Sequence, residues 1–130
     1  MKMAICSKGE GLSAQVDERF GRCPYFVIVD TEREDQVVSI QNTNVDAAGG
    51  AGPQAAQLLA GVGADAVALG NVGPNAVEAL KAAKIEVYSG IAGTVSSAVQ
   101  SFKNGKLTPL SEATVKSHSG MGSSRGGGRK

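Results

Sequence analysis

The apolar positions of this chain fall first into short continuous runs and later into helical spacings. Met3 to Cys6 is apolar throughout and reads as a buried central strand. Tyr25 to Val29 is a second buried strand. Gln36 to Gln41 alternates and is expected to pair back on it as a hairpin, across a charged turn from Asp30 to Asp35. Residues 7–24 are irregular, broken by Gly9, Gly11, Gly21 and Pro24, and only Ser13 to Phe20 has room for a turn or two of helix. From Pro53 the period changes. Ala55, Leu58, Leu59 and Val62 share one helical face, and Gly63 stops the helix. Ala66 to Leu69 is wholly apolar, as a strand covered on both faces must be. Pro74 opens a second helix with Ala76, Val77, Leu80 and Ala83 inward and Glu78, Lys81 and Lys84 outward. Ile85 to Tyr88 is the next strand. Thr94 is an N-cap for a third helix with Val95, Ala98, Val99 and Phe102 on one face, ended by Asn104-Gly105. Leu107 to Leu110 offers an edge segment, and Pro109 argues against a long one.

The order β-β-β-α-β-α-β-α predicts an α/β fold, a three-layer sandwich around a mixed five-stranded sheet. Right-handed crossovers favour the strand order 3-2-1-4-5, with strand 2 antiparallel to the others. Strand 1 is then central, and the loops that follow the parallel strands converge at one sheet edge. Twice a glycine-rich turn feeds a helix through proline, at Gly49-Gly50-Ala51-Gly52-Pro53 and at Gly70-Asn71-Val72-Gly73-Pro74. Proline needs no amide donor at a first helical position, and small residues beside it leave helix-start N–H groups approachable. Gly52 and Gly73, each before a proline, are therefore expected to resist a side chain.

Length allows one core, and the apolar pattern fades after Ser111, so the predicted organisation is an α/β domain over residues 1–110 and a flexible Gly/Ser-rich basic tail over 111–130. The net charge of +1 conceals an asymmetry: residues 1–115 carry nine Lys/Arg against twelve Asp/Glu, whereas residues 116–130 carry four bases and no acid. That tail could touch nucleic acid weakly, but no aromatic residue in it can stack on bases, so no specific nucleic-acid partner is expected. No signal peptide and no membrane-length apolar stretch is visible, and two cysteines without zinc spacing fit a cytoplasmic protein with reduced thiols. No apolar stripe is left over for a dimer seam, which points to a monomer.

Gly9-Glu10-Gly11-Leu12-Ser13-Ala14 matches a loose dinucleotide fingerprint after a strand. A true fingerprint opens a crossover helix, and Gly21 and Pro24 leave no room for one. Phe20-Gly21-Arg22-Cys23-Pro24 carries more chemistry. A guanidinium beside a thiol favours the thiolate and attracts anions, so Arg22 is a candidate anion contact and Cys23 an accessible candidate ligand. The alternative pairs Arg22 with Asp17 or Glu18 and packs Cys23 as a small apolar residue. Cys6, at the end of the first strand, is the next candidate ligand. His118, the sole histidine, has no structural task in a Gly/Ser tail and is a third candidate metal ligand. No catalytic triad or carboxylate pair can be assembled, so no enzyme activity is expected.

Phe20-Gly21-Arg22 before Tyr25-Phe26, Gly50-Ala51-Gly52-Pro53-Gln54-Ala55-Ala56, Gly70-Asn71-Val72-Gly73-Pro74-Asn75-Ala76, and Gly90 to Thr94 occur in order with family-like spacing over residues 1–107. Together they resemble the dinitrogenase iron–molybdenum cofactor biosynthesis family, the NifX-like domain. The resemblance implies an α/β sandwich with a ribonuclease H-like motif and a non-enzymatic carrier or chaperone for iron–sulfur or iron–molybdenum cofactor precursor clusters. It also implies a cluster-assembly or acceptor protein as partner. Many members carry histidine before the Gly-Ala-Gly-Pro string, where this chain has Gly49, and several have Cys- or His-rich tails. On this reading Arg22, Gly50, Gly52, Pro53, Asn71 and Gly73 seat the cofactor, and Cys23, His118 and Cys6 are candidate metal ligands. A regulatory interaction module without metal and a phosphorylated-ligand or nucleotide-binding domain are the alternatives.

Overall fold

Met3, Ala4, Ile5 and Cys6 are all wholly buried, so the strand that holds them has neighbours on both edges and cover on both faces. Fully burying side chains such as Met3 and Ile5 stabilises the fold by roughly 1.5–3 kcal/mol each. Residues 1–42 and 51–110 are described in the computed structural model; Gly50, His118 and the rest of the predicted tail lie outside the described residues. The strands are β1 (Lys2–Ser7), β2 (Tyr25–Asp30), β3 (Arg33–Gln41), β4 (Ala66–Leu69), β5 (Glu86–Ser89) and β6 (Thr108–Leu110). The helices are α1 (Ala51–Gly61), α2 (Pro74–Ala82) and α3 (Val95–Lys103).

The sheet runs β3-β2-β1-β4-β5-β6. β1 pairs antiparallel with β2, Cys6 opposite Phe26, and parallel with β4, Ile5 opposite Ala68. The order 3-2-1-4-5 therefore holds, with β2 antiparallel. The expectation of five strands is corrected to six: Thr108–Leu110 pairs antiparallel with β5. Pro109 is tolerated because β6 forms the edge, where a missing amide donor can face away from the ladder.

Helices cover both faces. Successive strand residues point to opposite sides. Val62, just past α1, lines a groove with Ile28, Val38 and Ile40. On the other face the Phe102 ring of α3 meets Tyr88 edge-on, with centroids 5.0 Å apart. α1 and α2 pack against one another, and α3 crosses β1. Among the described residues no helix is long and apolar enough to cross a membrane.

Three local expectations change. Ser13 to Phe20 forms no helix, because its amides and carbonyls are engaged by neighbouring segments, including bridges of Val16 to Ser7, Gln15 to Thr94 and Arg19 to Asn71. The hairpin turn is tighter than the charged run suggested, since β3 already begins at Arg33. α1 starts at Ala51, which places Pro53 third in the helix, still within the first turn, where amides lack intrahelical acceptors.

α2 ends on a strained residue. Lys84 has φ +62°, while Ile85 N–H donates to Leu80 O at 2.9 Å and closes the helix end. Only glycine takes this left-handed conformation without steric cost. Lys84→Gly should therefore stabilise the protein by about 0.5–1 kcal/mol, read as a higher urea midpoint at unchanged slope. An unchanged or lower midpoint would show that Lys84 is not strained.

Candidate functional site

The ends of β1, β4 and β5 open on one edge of the sheet, and the loops that follow them are sewn together by backbone hydrogen bonds. Glu18 O accepts from both Gly70 N–H, at 3.1 Å, and Asn71 N–H, at 2.6 Å; Phe20 N–H returns to Asn71 O at 3.1 Å. On the other flank Val16 N–H donates to Gly93 O at 2.9 Å, and Val95 N–H to Ala14 O at 2.9 Å. The segment after β1 thus lies between the β4–α2 turn and the start of α3. Gly70 makes this possible. A Cβ there would sit 2.6 Å from Glu18 Cβ and 2.9 Å from Glu18 Cα, a clash against backbone.

Asp17 is the charged pivot of this loop. Its carboxylate is buried and takes a two-pronged contact from Arg19: Nε donates to Oδ1 at 3.1 Å and Nη2 to Oδ2 at 2.9 Å. Arg19 N–H adds a third bond to Oδ1 at 3.0 Å. The Arg19 side-chain hydrogen bond is the main reason that the Asp17 carboxyl lies below its usual pKa. Lys8, Gln15, Asp17, Glu18 and Arg19 face Ile91, Ala92 and Gly93 across an open cleft of about 370 Å³.

The expected site residues converge in part. α1 and α2 begin side by side: a Cβ on Gly52 would stand 2.8 Å from Ala76 Cβ. Gly52 and Pro53 are half-buried there, Gly73 is the N-cap of α2 with Pro74 next to it, and Asn71 is exposed with its backbone tied to the β1–β2 loop. Arg22 is exposed on that same loop. The expectation that Gly73 resists a side chain is corrected: its φ is −84°, and a Cβ would meet nothing within 4 Å. Gly50 and His118 lie outside the described residues.

The cysteines differ most from expectation. Cys23 is wholly buried, not accessible, and so is Cys6. Asn42, itself buried, fixes the loop around Cys23 by donating from Nδ2 to Cys23 O at 2.8 Å and to Gly21 O at 3.1 Å. Burial pushes the Cys6 thiol well above its ordinary value, and the neighbouring Cys23 thiol adds to this, so Cys6 is a neutral thiol at pH 7. Arg19, rather than Arg22, is the guanidinium partner of Asp17. No cluster of three or more Cys, His, Asp or Glu side chains suited to a metal ion occurs among the described residues.

Residues 1–105 match the family described as Dinitrogenase iron-molybdenum cofactor. The chain belongs to this family. Solved proteins of very similar shape are known. The apo form of the orange protein from Desulfovibrio gigas is 38% identical, with a TM-score of 0.84 over 88% of this chain and 96% of that one. A Thermotoga protein of the DUF35 family is 42% identical, with a TM-score of 0.77 over 88% of this chain and 97% of that one. An uncharacterized protein of Methanocaldococcus jannaschii is 32% identical over 109 residues, 82% of this chain and 89% of its own length.

Within the family frame, Asp17, Glu18, Arg19 and Asn42 are the structural residues that sequence reading passed over as site-builders. The one available signal was Asp17-x-Arg19 within the irregular segment between the first two strands. Gly70→Ala should cost about 1–3 kcal/mol in urea unfolding, because backbone must move to admit the methyl group, whereas Gly73→Ala should be nearly neutral. Equal effects of the two would show that the Glu18–Gly70 contact does not hold the edge together.

Proposed function

We propose that this protein is a non-catalytic carrier for an anionic metallocluster, an iron–sulfur cluster or an iron–molybdenum cofactor precursor, received from and passed to cluster-assembly or acceptor proteins in the cytoplasm. The observation that carries the reading is the composition of the sheet edge. Glycines leave backbone close to the surface at the two helix starts, and Arg22 stands exposed on the adjoining β1–β2 loop. Iron–sulfur and related clusters are commonly anionic and suit such surroundings. Arg22, with Gly52, Pro53, Asn71 and Gly73 at the starts of α1 and α2, makes up the proposed seat, Gly50 is its candidate member outside the described residues, and the α2 start adds the positive end of a helix. Family membership supports the cofactor class, and the description of the orange protein structure as an apo form fits a relative that takes up a group.

The first hold on the cluster is by charge and amides. Ligation by Cys23 or Cys6 requires residues 19–24 to open, since both thiols are buried. His118 is the additional candidate ligand from the tail. The test is anaerobic reconstitution with ferrous iron and sulfide, with and without molybdate, followed by metal and sulfide assays after desalting. Wild type should retain a coloured cluster. Arg22→Ala should lose several-fold in retention, His118→Ala should lose less, and Cys23→Ala should retain it. Loss of uptake in folded Cys23→Ala would make the thiol a ligand and displace the charge-and-amide seat. No uptake by wild type under any of these conditions overturns the carrier reading in favour of an interaction module. Saturable phosphate or nucleotide binding in its place would favour the third alternative.

A further inference from the structure

The two outer strands of the sheet are built differently. β6 closes one side with three residues, and Pro109 in its middle has no amide to offer a further strand. β3 closes the other side and runs for nine residues without a proline. Its charges, Arg33, Glu34 and Asp35, come first, and there the pairing with β2 shifts: Val37 lies opposite Val29, whereas Arg33 lies opposite Asp30. Charge and irregularity together blunt that end against further pairing. Val37 to Gln41 then pairs residue for residue with β2 and carries no charge. Among the described residues no strand pairs with the outer side of this run. Its two faces also differ. On one, Ser39 Oγ accepts from Gly11 N–H at 2.9 Å, so the loop after β1 lies against it. On the other, Val38 and Ile40 line a groove of about 220 Å³ with Ile28 and Val62. Val38 is 59% exposed, the one large apolar side chain left open among the described residues.

We propose that the Val37–Gln41 edge of β3 is an interaction surface for a second copy of this chain, the two β3 strands pairing antiparallel about a two-fold axis at Ser39, so that the sheet continues from one protomer into its partner. The register follows from the strand itself. Opposite residues of an antiparallel pair share a face, and a two-fold axis normal to the sheet keeps each face on its own side, so the axis passes through a residue position. Centred on Ser39, it sets Val38 of each protomer opposite Ile40 of the other on the groove side, and it uses the whole uncharged run. Centred on Glu34 or Asp35, it would set an acid against the same acid, which destabilises an antiparallel pair. The run is thus complementary to itself in charge and in apolar pattern, which is what a second copy requires. The sequence points to a monomer because no apolar stripe is left over for a seam. An edge strand needs no such stripe, since its backbone groups make the seam. So short a run buries less than a standard interface, and the association is accordingly weak and concentration-dependent. Nothing in it rests on the carrier reading.

The experiment uses the full chain under reducing conditions and without any cluster. Sedimentation equilibrium is run from about 10 μM to about 1 mM protein, with amide spectra of isotope-labelled protein at both extremes. The mass should rise from the 13.1 kDa of one chain toward that of two and no further. Amide shifts should concentrate on residues 36–42, Ile28 and Val62. Val38→Lys places a charge in the seam at a position already exposed in the single chain, so it should weaken the dimer roughly tenfold or more and leave the melting temperature of dilute protein unchanged. Thr108→Lys, exposed on the opposite edge, should dimerise like wild type. If Val38→Lys fails to fold, the wild-type mass and shifts decide. A mass that stays at one chain throughout would overturn the seam. So would a dimer whose shifts fall on β6 or the helices, or one that folded Val38→Lys leaves intact. Slow exchange of every amide from residue 37 to 41 in dilute protein would mean that the chain itself covers this edge, which overturns the proposal as well. Because no cluster is present, failure of the seam leaves the carrier reading standing, and failure of cluster uptake leaves the seam standing.

Discussion

The carbonyl of Glu18 receives two amides, from Gly70 and Asn71, and this contact draws the long loop after β1 onto the turn after β4. Without it the loop would have no fixed relation to the sheet edge. The contact is possible only because Gly70 has no side chain to strike Glu18. Its consequences spread outward. Asp17, one residue earlier, is carried into a buried position where its charge must be met, and Arg19 meets it. Arg19 in turn offers its carbonyl to Cys23 and Arg22 amides, which sets the return path into β2. One close approach of backbone to backbone thereby positions the charged rim, the buried thiols and the start of α2.

Much of the architecture was legible because hydrophobic burial writes directly into sequence. Met3 to Cys6 and Ala66 to Leu69 are apolar throughout, which requires cover on both faces, and the strand order followed from handedness. Thr94 was legible as a cap because its hydroxyl accepts from Ser97 N–H at 3.2 Å, a local interaction. What could not be read was tertiary. Residues 13–20 have helix-compatible spacing, but their backbone groups are claimed by partners that lie far along the chain. Pro109 looked like a strand breaker until β6 took an edge, where proline is harmless. Gly52 and Gly73 looked equivalent in sequence, each before a proline. They differ because Ala76 stands over the first and nothing stands over the second.

The approach of the two helix starts was legible in the sequence, and the chemistry of the proposed site was less so. Small-residue turns before helices marked the edge, and Gly52 beside Ala76 confirms that the two helix starts adjoin. The cysteine beside an arginine looked reactive, since neighbouring charge favours a thiolate. Sequence adjacency did not reveal that Asn42 would pin the Cys23 carbonyl from the end of β3 and that the side chain would be buried in the core. Desolvation then opposes ionisation, and Cys6 is held in the neutral form. The same burial withdraws both thiols from direct ligation while the fold keeps its closed form.

The central claim is locational: an anionic cluster sits on the edge formed by the β1–β2 loop, the β4–α2 turn and the helix starts. Amide resonances of isotope-labelled protein, recorded by NMR before and after anaerobic loading with iron and sulfide, test it most directly, because bound iron broadens nearby signals. Broadening confined to residues 18–22, 52–54 and 70–76 is the expected result. Broadening centred on β3 or β6, or spread evenly over the chain, would place the cargo elsewhere and contradict it.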